Sequence, residues 1–251
     1  MESGKILLVD KPVNWTSFDV VAKIRGLIKK SYLDRGEKPT KRQLKVGHAG
    51  TLDPFATGLL IILLGDATKH AGEFLKLDKV YEATICLGAT STTGDPEGII
   101  TETERRRDGE TERIGESDNA ADVANSIITP TEKVVRKVLV DFTGTVTQIP
   151  PQYSAIKVGG VRAYDAARKG KAVDIPPRQV TVYSLDLLDY AYPELHICAH
   201  VSSGTYIRTL AEDIGTALGT GAYCSQLRRT QVGEYSVDNA TQVTEVNIDK
   251  L

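Results

Sequence analysis

Three features of this 251-residue chain predict an α+β fold. Apolar residues recur at helical spacing in separate blocks, over 17–30, 131–140 and 205–218. Shorter runs have the alternation or unbroken apolarity of strands. Two of these runs, Val180 to Asp189 and Leu195 to Val201, follow one another with no room for a helix between them. Strands and helices therefore do not alternate in the regular βαβ order of a doubly wound sheet, and a mixed arrangement is expected.

In chain order, Lys5 to Val9 reads as a short strand. Ser17 to Lys30 follows as an amphipathic helix capped by Thr16 or Ser17, with Phe18, Val21, Ile24 and Ile28 on one face. The basic stretch Tyr32 to Lys45 contains glycine and proline and reads as a loop. Leu59 to Leu64 is apolar without interruption and of strand length, which fits a strand buried on both faces; Tyr81 to Leu87 is a further strand. Gly94 to Asn125 carries many charges and almost no apolar period, so a long flexible loop is expected. Thr131 to Val140 has a helical pattern starting at Thr131-Glu132, and Arg162 to Lys169 is a short helix inside a basic loop bounded by Pro150-Pro151 and Pro176-Pro177. The last helix, Thr205 to Leu218, turns Ile207, Leu210, Ala211 and Ile214 inward.

With 41% hydrophobic residues the chain can bury a sizeable core. No apolar run approaches the roughly 20 residues that span a bilayer, and the N-terminus lacks the basic start and apolar stretch of a signal peptide. A cytoplasmic location is expected. Cys86, Cys198 and Cys224 are dispersed and form no CxxC pair. His196, Cys198 and His200 would share one strand face, but no fourth zinc ligand is evident and no metal is expected. The net charge of −2 conceals a strong division. Lys11 to His48 carries +7, Gln148 to Thr181 carries +4, and Glu97 to Asp122 carries −5. Two basic stretches beside an acidic insertion fit a footprint for phosphates.

The stretch with most chemical content is Gly47-His48-Ala49-Gly50-Thr51-Leu52-Asp53-Pro54-Phe55-Ala56-Thr57-Gly58-Leu59-Leu60. It sets one carboxylate, Asp53, in a glycine-bounded loop that runs into a rigid apolar strand, a frame a solvated aspartate does not need. This stretch closely resembles the signature loop of the bacterial tRNA pseudouridine synthase B (TruB) family. Further motifs occur in the family's order. They are Leu8-Val9-Asp10-Lys11-Pro12 with Trp15-Thr16-Ser17, Tyr81 with Gly88-Ala89-Thr90 and Thr93-Gly94-Asp95, and Pro150 to Lys157 with Arg162-Ala163-Tyr164. Ser203 to Leu210 and Leu227-Arg228-Arg229 complete the series.

The resemblance implies a pseudouridine synthase fold, a mixed central β-sheet flanked by helices with an active-site cleft across it. It also implies isomerisation of uridine 55 in the T-arm of tRNA with no cofactor. Asp53 would be the nucleophile, and Arg208 its partner, favouring the charged carboxylate and lowering its pKa. Tyr81 would stack on the target base and is a candidate to move a proton. Tyr206 and Leu227 would line the base pocket, and His48 would contact the extruded nucleotides. A loop over 148–178 would clamp the RNA, with Lys157, Arg162, Arg168, Lys169 and Arg178 meeting phosphates. Val201-Ser202-Ser203 departs from the Cys-Ser-Lys often found before the family's Gly-Thr-Tyr, which removes one RNA-facing lysine. Family members commonly continue into a PUA-type RNA-binding module; here a single catalytic domain over 1–251 without that module is expected, as a monomer with no obligate protein partner. Two other readings stand beside this one. One is a guide-RNA-dependent synthase of the archaeal and eukaryotic type, against which Ala49 and Ala56 in the signature argue. The other is a tRNA-folding RNA-binding protein without catalysis.

Overall fold

A computed structural model describes residues 4–103 and 129–248. Its first half contains β1 (Lys5–Lys11), α1 (Ser17–Asp34), β2 (Val46–Ala49), β3 (Thr57–Leu64), α2 (Ala71–Leu75), β4 (Lys79–Leu87), β5 (Ala89–Ser91) and β6 (Ile100–Glu102). The second half adds α3 (Glu132–Asp141), β7 (Gly144–Gln148), β8 (Lys157–Val158), β9 (Val161–Arg162), α4 (Ala163–Ala167), β10 (Arg178–Ala191), β11 (Glu194–Val201), α5 (Ile207–Ala217), β12 (Ala222–Val232), β13 (Tyr235–Ser236) and β14 (Thr241–Gln242). One ten-stranded mixed sheet dominates, in the order β14-β1-β3-β12-β4-β11-β10-β7, with β2 paired to β3 and β13 to β12. This is the α+β architecture expected.

β3 is the sheet's apolar centre because its residues are buried on both sides. Leu60, Ile62 and Leu64 join the main core with α1 and α5, while Leu59, Ile61 and Leu63 join a second cluster on the other face. Each such side chain contributes about 1.5–3 kcal/mol through burial, so the loop that enters β3 is anchored on a stiff element. The chain from 208 onward supplies α5 and β12 to this same sheet and core.

Three sequence expectations are corrected and one strand is added. Phe18 does not face inward but is 64% exposed, and Val20 takes its place beside Val21, Ile24 and Ile28. The phase is set by the Thr16 cap, whose Oγ1 accepts from the Asp19 N–H at 3.0 Å while the Asp19 carboxylate accepts from the Thr16 N–H at 2.8 Å. The helix continues to Asp34 because Tyr32 is a buried anchor and not the start of a loop. The expected loop from Gly94 contains β6, which pairs with β5; its stretch over 104–128, holding most of the acidic segment, lies outside the described residues. The longest gap is β12, which hydrogen-bonds to β4 along its length although Gln226, Arg228, Arg229 and Gln231 break any simple apolar pattern. Among the described residues no helix is long and apolar enough to cross a membrane.

Candidate active site

The Asp53 loop joins β2 to β3 and is held from several directions. Lys11, fully buried, donates through Nζ to the carbonyls of Pro12 (2.9 Å), Trp15 (2.6 Å) and Pro54 (3.3 Å). The Asn14 N–H also donates to the Pro54 carbonyl at 2.8 Å. On the other side of Asp53, Ser17 Oγ accepts from the Leu52 N–H at 2.8 Å and donates to the Leu52 carbonyl at 3.0 Å. The start of α1 and the end of β1 thus clamp the residues immediately before and after the carboxylate. Gly58 leaves the loop at φ +99°, and a Cβ there would stand 2.3 Å from the Arg229 carbonyl oxygen, so only glycine fits.

Arg208, at the start of α5, faces the loop with its side chain 4% exposed. Its Nε lies 3.1 Å from Asp53 Oδ2, and its Nη1 lies 2.9 Å from Asp95 Oδ2. Nη1 also donates to the Thr93 carbonyl, and Nη2 donates to the Tyr153 carbonyl, each at 2.9 Å. One guanidinium therefore joins the Asp53 loop, the Thr93-Gly94-Asp95 turn and the segment that leads into β8. The Asp95 side chain is 4% exposed, whereas 35% of the Asp53 side chain stays open to the cleft, where a substrate can reach it.

The expectation that Arg208 sets Asp53 below the ordinary carboxylate range is corrected in its net sign. Burial pushes the Asp53 carboxyl up more strongly than Arg208 pulls it down, and Asp95 adds to the upward push. Glu97, which also lines the cleft, is raised by burial and by the charges of Asp95 and Asp53. Burial lowers Lys11 to about 8, with Asp53 the largest opposing charge.

The cleft in front of Asp53 encloses about 1050 Å³, on the scale of a nucleotide with its neighbours. Tyr81 on β4 (9% exposed) and Leu227 on β12 (8% exposed) line it, as do Tyr206 at the cap of α5 and His48 on β2. Among the described residues His48 Nδ1 is buried without a hydrogen-bond partner, and burial followed by the Arg229 charge lowers the ring's pKa, which keeps it neutral near pH 7.

The segment over 149–177 folds across one side of the cleft. Gln152 bridges to both the N–H (3.0 Å) and the carbonyl (2.8 Å) of Val173, closing its base. Lys157, Arg162 and Arg168 line the cleft, with the two arginines over the Tyr164 ring at 6.0 and 5.7 Å. Lys169 is exposed beyond the lining. Arg178 donates to the Gly204 carbonyl and sits 5.1 Å from the Tyr206 ring centroid, against two residues that line the cleft. It thus braces Tyr206.

Lys11, Asp95, Glu97 and Arg229 line or support the site without having been assigned a role from sequence. Lys11, Asp95 and Arg229 lie within the motifs named above, and for Lys11 and Asp95 the signal that could mark them is charge inside an otherwise apolar or glycine-bounded stretch.

Comparison with known proteins agrees with this architecture. The model described as "TruB family pseudouridylate synthase (N terminal domain)" matches residues 38–117 and 110–207, and that of the "tRNA pseudouridylate synthase B C-terminal domain" matches 208–250. A tRNA pseudouridine synthase B of Parabacteroides distasonis is 40% identical over 249 residues, covering 98% of this chain and 92% of the relative. That of Bacteroides fragilis is 43% identical over 237 residues, covering 94% and 90%. A chain in the crystal structure of a Cbf5-Nop10-Gar1 complex superposes with a TM-score of 0.61 at 27% identity, over 92% of this chain and 49% of that one, so this chain spans about half the neighbour's length. The fold is that of the pseudouridine synthases. The chain belongs to the TruB family of pseudouridylate synthases.

Proposed function

We propose that this protein converts uridine to pseudouridine at position 55 in the T-arm of tRNA, with Asp53 as the nucleophile. The reaction is an isomerisation. The C1′–N1 bond breaks, the uracil turns, C5 bonds to C1′, and the hydrogen lost from C5 is balanced by a proton gained at N1. No electrons enter or leave, so no cofactor is called for. The observation that carries the reading is the contact between Arg208 and Asp53 at 3.1 Å, made on a stapled loop whose carboxylate remains open to the cleft.

The guanidinium aims the carboxylate and favours its charged form, while the surrounding burial keeps it weakly solvated and reactive. Tyr81 offers an aromatic face and a phenol beside it, and Leu227 and Tyr206 give the detached uracil an enclosed space in which to turn. Lys157, Arg162 and Arg168 supply the positive wall for the RNA backbone, while the splayed loop bases supply shape for recognition. The reading includes a cytoplasmic monomer that acts on free tRNA with residues 1–251 as one catalytic unit. The relatives of 40% identity and above carry the name of a tRNA enzyme, which favours free tRNA over a guide-RNA assembly.

The test is an unmodified tRNA transcript incubated with the protein alone and mapped by carbodiimide-dependent primer-extension stops. One stop reporting position 55 is expected. Stops only at other positions, or none until a guide RNA is supplied, would overturn the reading.

A further inference from the structure

Arg229 is the largest fully buried side chain, 1% exposed, and among the described residues no carboxylate pairs with it. A guanidinium taken out of water with no carboxylate in contact is costly, so its place in the fold calls for a reason in what it holds. It holds two main-chain carbonyls: Nε donates to Leu59 at 2.8 Å and Nη2 donates to Gly50 at 3.1 Å. Gly50 and Leu59 bracket the stretch that carries Asp53. The backbone of Arg229 is placed between the same elements, opposite Gly58 in β3 and opposite Tyr81 in β4. The glycines that frame the loop fit around this residue. A Cβ on Gly50 would stand 3.4 Å from Arg229 Nη1, and one on Gly58 would stand 2.3 Å from the Arg229 carbonyl oxygen.

We propose that Arg229 is the positioning residue of the catalytic loop, its guanidinium clasping both ends of the loop while its strand register fixes where Asp53 stands relative to Tyr81. The inference rests on the proposed synthase function for its catalytic consequence, but not for the clasp itself. Lysine at this position keeps the charge and reaches one carbonyl, since it lacks the rigid fork that meets two acceptors at once. The neighbouring Arg228 points to the opposite face and pairs with Asp10 at 2.8 Å, which makes it the control for disturbance of β12.

The experiment compares native protein, R229K and R228K by amide hydrogen exchange and by single-turnover tritium release from a T-arm hairpin labelled at C5 of the target uridine. In R229K the N–H groups of Leu52 and Ala56 should lose protection while those of α5 keep it, and the rate constant should fall by about tenfold or more with hairpin affinity retained. R228K should leave the loop amides protected. Native loop protection in a folded R229K would overturn the clasp, as would a lost rate matched by an equal loss of hairpin affinity. Absence of release from the native protein would strike the synthase reading alone, because the exchange result still decides the clasp. Should R229K fail to fold, R229M removes both donors without leaving a buried charge, and native loop exchange in that variant would overturn the proposal.

Discussion

Asp95→Asn separates the two jobs of the carboxylate that shares Arg208 with Asp53, the proposed nucleophile. Asp95 and Arg208 meet at 2.9 Å with both side chains 4% exposed, so their attraction is little screened. The other Asp95 oxygen, Oδ1, accepts from Thr93 Oγ1 at 2.6 Å and from the Glu97 N–H at 3.0 Å. Asparagine has one oxygen for these duties. If that oxygen faces Arg208, the charge-assisted bond becomes an ordinary one and the Glu97 N–H loses its acceptor. Together these changes cost about 2–3 kcal/mol of stability. The effect on Asp53 has the opposite direction from the effect on structure. Asp95 pushes the Asp53 carboxyl up, so its neutralisation lets that pKa fall. The proposed mechanism requires the carboxylate, so in the native protein the acid limb of kcat/KM should lie above the ordinary aspartate value of about 3.9. In the variant the limb moves to lower pH, while the plateau falls about tenfold as the hold of residue 95 on Arg208 weakens. Tritium release measured across pH, beside thermal unfolding, reads both. An acid limb that moves to higher pH, or a plateau unchanged in a protein of native stability, would refute the coupling.

Other consequences follow from the same geometry. Gly58→Ala places a methyl 2.3 Å from the Arg229 carbonyl at φ +99° and should destabilise the fold by about 3 kcal/mol or more; a denaturation midpoint close to native would contradict the packing. Lys11→Met frees the carbonyls of Pro12, Trp15 and Pro54, so single-turnover rate should drop with hairpin affinity kept, and a pure affinity loss would be the wrong result. Lys157→Ala with Arg168→Ala should weaken hairpin binding and flatten its salt dependence by about 0.7–0.9 in log–log slope per lost phosphate contact. Arg178→Ala should instead show itself mainly as lost stability or a disturbed Tyr206, given its bond to the Gly204 carbonyl; a salt slope lowered as in the first variant would reverse that assignment.

The sequence carried the elements whose physics is local. The apolar run over 59–64, the inward set Ile207, Leu210, Ala211 and Ile214, and the glycine frame around Asp53 each declare their environment through residue type and spacing alone. What stayed hidden depends on partners distant in the chain. β12 reads as polar until Arg228 finds Asp10, and Arg229 finds two carbonyls some 170 positions away. Spacing alone puts Phe18 on the apolar face, whereas the cap at Thr16 rotates the helix so that this ring lies at the cleft. Nothing in the neighbours of Arg178 announces its bond to the Gly204 carbonyl. The net upward shift at Asp53 was hidden for the same reason: the loop motif shows the acid and α5 shows its cation, but burial and Asp95 enter only with the assembled cleft.

The central claim is that Asp53 is the nucleophile, and its most direct test is single-turnover tritium release from C5-labelled uridine in an unmodified T-arm hairpin by native protein and by Asp53→Asn. Native protein should release the label to completion, and Asp53→Asn should bind the hairpin with comparable affinity and release none. Release by Asp53→Asn at a rate near native would remove Asp53 from the chemistry, and tight binding without release by the native protein would contradict catalysis on free tRNA.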